Sequence, residues 1–505
     1  MLRKTSIVLT ESGPVQGFQK TIPKSESTID CFLGIPYAAP PIGDLRWKSP
    51  RPAENWRELR SCFEFGADLP QLNNPLLQAK QQSEDCLYLN VWTPETKSPQ
   101  KLPVMVWIHG GGFVGGSGSD QRSDGARMAA KGVVVVSINY RAGVFGFLAH
   151  PVLTAESELN VSGNYGLQDQ IAALKWIQQN ISNFGGDPNK VTAFGVSAGS
   201  ASISLLLTCP QAKGLFHQTI LHSPGAARPL ATLAEAQEFS VQALGAGISR
   251  LRALDDREVL KLTNLFNPKI RGLTTPRILR PILDGVYLRD NERAVFKAQG
   301  QIMLPMIVGS NLDEGSALTK AWTIQSKEEY LDLVAANFKS YASEALSIYP
   351  VNEAREVSGR VAELFADTQF NYGTRLLAQS NSNQIHATWR YLFSRRRPSQ
   401  TDGPHHDQEV AHAFGNLSVK TTGVDHDFDD RDEFISDAML NYWVQFAQTG
   451  NPNQSGLPDW PRYQSTADNM IVFGDQISKQ EGLRQRNLDF IDRYFESQTT
   501  ALMKP

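Results

Sequence analysis

The chain has 505 residues but only four cysteines. So few thiols argue against a disulfide framework and suit a reduced, cytoplasmic setting. It also lacks any run of about 18 apolar residues, the length a membrane-spanning helix needs. The short apolar patch at residues 5–10 is followed at once by Glu11, Gly13 and Pro14. A secretory leader needs a longer apolar core, so none is expected. Charge of one sign is missing too, since 49 Lys plus Arg stand against 52 Asp plus Glu for a net charge of −3. That leaves no basic field of the kind nucleic acid requires, and the run Arg395, Arg396, Arg397 reads as a solvated strand end. No cluster has metal-ligand spacing, including His405, His406 and Asp407, so no metal and no cofactor is expected. Repeats, low-complexity tracts and flexible linkers are absent as well.

What is present is a serine set in glycine. Residues 190–200, KVTAFGVSAGS, run a β-branched strand into Gly-x-Ser-x-Gly and then into an apolar segment of helical length. On a sharp strand-to-helix turn, Cβ atoms beside the serine would strike the neighbouring strand and helix, and Gly195 and Gly199 avoid this. Ser197 is therefore the candidate nucleophile. The start of the following helix offers N–H groups and a positive dipole end to a developing oxyanion.

A second element supports the first. Residues 103–113, PVMVWIHGGGF, carry an apolar strand into three glycines. Such a loop presents backbone N–H groups at close range, and the donors expected for an oxyanion are those of Gly111, Gly112 and Ala198. Removing one such donor typically costs about 3 to 4 kcal/mol of transition-state stabilisation.

With these motifs the chain resembles the type-B carboxylesterases, the group of α/β-hydrolases that includes cholinesterases and bacterial para-nitrobenzyl esterases. The resemblance extends over nearly the whole length. It includes FLGIPYAAPPIGDLR at 32–46, SEDCLYLNVW at 83–92, NYRAGVFGFL at 139–148, GNYGLQDQ at 163–170 and YWVQFAQTGNPN at 442–453. It implies an α/β-hydrolase fold, a mostly parallel central sheet flanked by helices. It also implies a Ser-Glu-His triad. In GSNLDEG, residues 309–315, the family acid falls on Glu314, with Asp313 as a turn-capping rival. In GPHHDQEVAHAFG, residues 403–415, the family spacing back from Glu409 and Gly415 selects His406. His405 and His412 are then exposed or locally packed side chains. Asp407 departs from the family, where glycine is common, and is positioned to raise the neighbouring imidazole or to constrain its loop.

The expected organisation is one catalytic body over residues 1–505, with helical insertions near 230–275 and 320–385 covering the strand ends and shaping the acyl and alcohol pockets. Strands are expected near 104–108, 133–139, 191–196, 217–222, 303–308 and 387–393, and the stripe Leu167, Ile171, Leu174, Ile177 reads as core. By resemblance, Arg46 with Glu84 and Arg141 with Asp169 are structural ion pairs. Ser223 matches a buried family serine near the acid and base, and either a hydrogen bond to them or simple turn chemistry accounts for it. Secreted relatives bridge the cysteine matching Cys86 to a position that here is Leu69; Cys86 is thus expected free, with a bridge to Cys62 left open.

The activity implied is hydrolysis of carboxylic esters through an acyl-enzyme, by a monomer or homodimer acting on a small molecule. The loop 69–83 has no aromatic residue to stack on an ammonium, and Val196 stands where many relatives carry glutamate. Choline esters are disfavoured and an uncharged, short-to-medium-chain ester is the expectation. Residues 78–82, QAKQQ, are too polar for an interfacial lipase lid. An amidase or thioesterase using the same residues remains open, as does a non-catalytic binding protein on the same fold.

Overall fold

The computed structural model describes residues 3–502 apart from 24–25, 267, 269, 271, 383–386 and 419–426. A sheet of thirteen strands runs through it: β1 (Lys4–Leu9), β2 (Pro14–Thr21), β3 (Thr28–Pro36), β4 (Arg60–Ser61), β5 (Tyr88–Thr93), β6 (Leu102–Ile108), β7 (Val134–Ile138), β8 (Gly186–Val196), β9 (Gln218–His222), β10 (Met306–Asn311), β11 (Thr388–Phe393), β12 (Met470–Phe473) and β13 (Ile477–Gln480). Their spatial order is β1-β2-β3-β5-β7-β6-β8-β9-β10-β11-β12-β13, with β4 beside β2. From β7 to β12 every neighbouring pair is parallel. Antiparallel strands complete both edges.

Alternation along β6 explains why the centre is buried on both faces. Val104, Val106 and Ile108 join Val134, Val136, Val191 and Ala193 in one core cluster. Met105 and Trp107 point the other way, to Val135, Phe194 and Phe414. Side chains of period two with helices on both sides leave no polar face, which is why these strands read as continuous apolar runs. Helix Tyr165–Asn180 buries Leu167, Ile171, Leu174 and Ile177.

Strand β10 lies three residues later than the apolar run 303–308 suggests. Pro305 has no N–H to give a ladder, and pairing instead continues through Gly309, Ser310 and Asn311 against β11. Between β9 and β10 the chain forms helices Leu233–Leu244, Ser249–Arg252, Asp256–Leu262 and Glu292–Lys297. Between β10 and β11 it forms, among others, Lys327–Phe338, Val357–Ala366 and Tyr372–Asn381.

Cys31, Cys62, Cys86 and Cys209 are all buried free thiols, so Cys62 and Cys86 are not bridged. Arg46 grips both oxygens of Glu84, and Arg141 grips both oxygens of Asp169 at 2.8 and 2.7 Å. Arg395 is not a solvated strand end: it is buried, with Asp429, Asp432 and Asp475 around its guanidinium at 2.7 to 2.9 Å. A run of three arginines does not reveal which of them faces acid groups brought from residues 429–475. No helix among the described residues is long and apolar enough to cross a membrane.

Candidate active site

Ser197 sits between the end of β8 and helix Ala198–Leu206 with φ 56° and ψ −117°. A non-glycine residue there is strained by roughly 1–3 kcal/mol, and the surroundings hold it in place. Its N–H donates to the His222 carbonyl at 2.9 Å and its carbonyl accepts from Ala201 at 2.8 Å. The flanking glycines are required by space. A Cβ on Gly199 would lie 1.9 Å from the Ile108 carbonyl oxygen, and one on Gly195 would lie 2.5 Å from the same atom.

The glycine loop after β6 closes over this turn. Gly111 and Gly112 have φ of 110° and 64°. The Gly111 carbonyl takes the N–H groups of Val114 and Gly115, which folds the loop back on itself. The N–H groups of Gly111, Gly112 and Ala198 donate to no acceptor among the described residues.

Glu314 lies just beyond the end of β10 and is 1% exposed. Its Oε1 accepts from the Ser223 hydroxyl at 2.5 Å and from the Asn311 N–H at 2.6 Å. Its Oε2 contacts Nδ1 of His406. Asp313, next in sequence, faces elsewhere: it accepts the N–H groups of Gly315 and Ser316 and stands 3.2 Å from Nδ1 of His405. Burial works against its ionised form, but the His405 and Ser316 hydrogen bonds hold its carboxyl down at about 2. Two adjacent acids thus meet two adjacent histidines in parallel, and His412 is separately buried, 3.2 Å from Asp432.

The His406 side chain is 7% exposed, packed on Phe370 with ring centroids 4.4 Å apart, and its Nε2 has no hydrogen-bond partner among the described residues. Burial presses the imidazole towards neutrality, yet the Glu314 carboxylate, aided by Asp407 and Glu409, lifts its pKa above the ordinary value. Asp407 has φ 69° and binds Arg122 at 3.0 Å.

Ser197, Ala198, Gly111, Gly112 and His406 line one cavity of about 450 Å³. Leu318, Phe365 and Phe370, from the stretch between β10 and β11, line it too. Sequence reasoning did not weigh the supports beneath it. Glu409 is buried and takes the Asn311 side-chain amide at 2.5 Å, while the same amide donates to the His405 carbonyl at 2.7 Å. That stitches the loop of His406 to the end of β10. His222 Nε2 accepts from the Trp443 indole at 2.9 Å, which puts its proton on Nδ1, 3.3 Å from Glu409. The fixed spacing between His406 and Glu409 was the available signal, since a residue used to count by also has contacts of its own. Among the described residues no group of three His, Cys, Asp or Glu is placed to hold a metal ion.

Residues 4–491 match the model of the carboxylesterase family. The chain belongs to the carboxylesterase family. It is a carboxylic ester hydrolase. The chain is 42% identical over 487 residues to a fumonisin B1 esterase of Sphingopyxis macrogoltabida, covering 94% of this chain and 87% of that protein. It is 34% identical to the para-nitrobenzyl esterase of Bacillus subtilis (strain 168), covering 94% and 95%. A solved PNB esterase structure superposes with a TM-score of 0.81 at 33% identity over 96% of this chain and 99% of the other. The shared architecture is the α/β-hydrolase fold.

Proposed function

We propose that this carboxylesterase works through Ser197, His406 and Glu314. His406 Nε2 takes the Ser197 hydroxyl proton as Oγ attacks the ester carbonyl carbon. The N–H groups of Gly111, Gly112 and Ala198 hold the oxyanion, and His406 returns the proton to the leaving alkoxide as the C–O bond breaks. Water, deprotonated by His406, then attacks the acyl-enzyme and releases acid and Ser197. Glu314 holds the Nδ1 tautomer and stabilises the imidazolium.

The observation that supports this reading is the Glu314 to His406 Nδ1 contact behind the cavity that His406 and Ser197 both line, with His406 Nε2 left without a partner among the described residues. The part of the 69–83 loop in that cavity is Gln71, Leu72, Asn73, Asn74 and Leu77. With no aromatic face there, the ester is proposed to be non-cationic. A cytoplasmic setting, which the buried, unbridged thiols support, and a monomeric or homodimeric state belong to the same proposal.

The test is hydrolysis of a short-chain para-nitrophenyl ester by the wild type and by Ser197→Ala. Loss of about three orders of magnitude or more is expected. Equal rates overturn the reading.

A further inference from the structure

The segment that carries the Gly111 and Gly112 N–H groups lies outside helix and strand, so no regular ladder fixes it. Its own far end backs it. A Cβ on Gly111 would lie 2.2 Å from the Gly115 carbonyl oxygen. One on Gly116, where φ is 104°, would lie 2.2 Å from the Gly110 carbonyl oxygen and 2.3 Å from Nδ1 of His109. Residues 115–116 therefore lie directly against residues 109–111, and a shift in one pair is felt by the other.

Gln71 holds that backing layer. Its Oε1 accepts the Gly116 N–H at 2.7 Å, and its Nε2 donates to the Gly116 carbonyl at 2.9 Å and to the Leu69 carbonyl at 3.3 Å. Gly116 makes no other backbone hydrogen bond among the described residues. A side-chain amide offers a donor and an acceptor together, which is what both backbone groups of one residue require. A Cβ on Gly115 would lie 2.8 Å from the same Gln71 oxygen, so the amide also packs on that residue. Gln71 is buried although it lines the cavity with Ser197.

Gln71 is itself fixed. Its N–H donates to Gln82 Oε1 at 3.0 Å. The base of its loop is closed by the Asp68 N–H on the Gln81 carbonyl at 3.1 Å and the Ser83 N–H on the Asp68 carbonyl at 2.9 Å. The Asp68 carboxylate takes the hydroxyls of Ser117 and Ser119, the latter at 3.1 Å. Residues 68–82 thus grip the chain at Gly116, Ser117 and Ser119.

We propose that Gln71 is a positioning residue, which by clamping both backbone groups of Gly116 holds the Gly111 and Gly112 N–H groups where the oxyanion forms. Such donors act only within a narrow range of the developing charge, and a displacement of about 1 Å can cost roughly 10²-fold in rate. The proposal rests on the reading of Gly111, Gly112 and Ala198 as the oxyanion donors. Gln71 acts through the glycine segment rather than on the reacting atoms.

The test compares inhibition by 1,1,1-trifluorooctan-2-one and octan-2-one. Ser197 Oγ adds to the carbonyl carbon of the first, its proton passes to His406, and the carbonyl oxygen becomes an oxyanion; the second occupies the cavity without adding. The wild type is expected to bind the trifluoro ketone at least about 10²-fold more tightly. In Gln71→Met, close in shape but lacking donor and acceptor, the trifluoro ketone is expected to weaken about tenfold while octan-2-one moves by less than about twofold. On a para-nitrophenyl ester kcat should fall about tenfold with KM within about twofold. Gln82→Met, which releases only the Gln71 N–H, should shift the inhibitor ratio in the same direction by roughly threefold, and it decides the matter where Gln71→Met does not fold. A ratio unchanged in the variant, or equal weakening of both ketones, overturns the positioning role and leaves the Ser197 chemistry intact. A wild type without preference for the trifluoro ketone overturns the oxyanion reading and this proposal with it.

Discussion

Asp407, directly after His406, holds Arg122 across 3.0 Å from a backbone with φ 69°. The family favours glycine at this position, and the side chain that replaces it adds a negative charge beside the imidazole.

Asp407→Asn should therefore move the acid limb of kcat/KM to lower pH. Burial pushes the His406 imidazole down while Glu314, Asp407 and Glu409 push it up, with the upward push winning. Removing one contributor lowers the pKa, so the neutral base persists further into acid. The measurement is a pH profile of both proteins, and a limb that stays or moves upward counts against a charge role for Asp407. For the wild type, a rate flat down to about pH 4 would count against any histidine base.

Ser223→Ala leaves Glu314 Oε1 with the Asn311 N–H as its remaining donor. Losing a hydrogen bond to a buried charged group costs about 1–3 kcal/mol, or roughly tenfold to a hundredfold in kcat if Glu314 then turns away from His406. Glu314→Gln should cost more, roughly 10⁴-fold, because the amide no longer fixes the tautomer or balances the imidazolium. Steady-state kinetics on one ester, with a melting curve for each variant, separates misalignment from unfolding.

Two glycines that look alike in sequence should behave differently. At Gly199 a Cβ would lie 1.9 Å from a backbone oxygen, whereas at Gly112 it would meet Val114 no nearer than 4.0 Å. Gly199→Ala is expected to prevent soluble expression or lower Tm by more than about 10 °C. Gly112→Ala should cost only the left-handed backbone strain, about 1–2 kcal/mol. Equal melting temperatures would contradict the packing described.

Reductant should make no difference to stability. All four thiols are buried and unbridged, and burial pushes Cys31 and Cys62 up to about 12. Thiolate is the reactive form, so a native-state thiol titration should be slow and should accelerate only on denaturation. Rapid labelling of the folded protein would show an exposed thiol.

The sequence made the central parallel strands readable because burial on both faces leaves continuous apolar runs, as at Val104 to Ile108. The amino-terminal strands were not anticipated: β1 and β2 alternate weakly, with Lys4, Ser6, Gln16 and Gln19 at half-exposed or exposed positions. Ser197, Glu314 and His406, the proposed triad, stood out because the glycine and acid spacing around them matches that of the family. The hydrogen bonds of Arg228 and Arg277 to Gln369 did not, since these residues follow no motif and meet only when the chain between β9 and β11 folds over the sheet.

Ser197 and Glu314 stand just beyond the ends of β8 and β10, with β9 between them, so the hydrogen-bonded ladder of the sheet sets their spacing. The helices Leu233–Leu244, Ser249–Arg252, Asp256–Leu262 and Glu292–Lys297 all ride on one stretch of chain that leaves and re-enters between β9 and β10. That stretch can therefore lengthen or change its residues without re-aligning those at the strand ends.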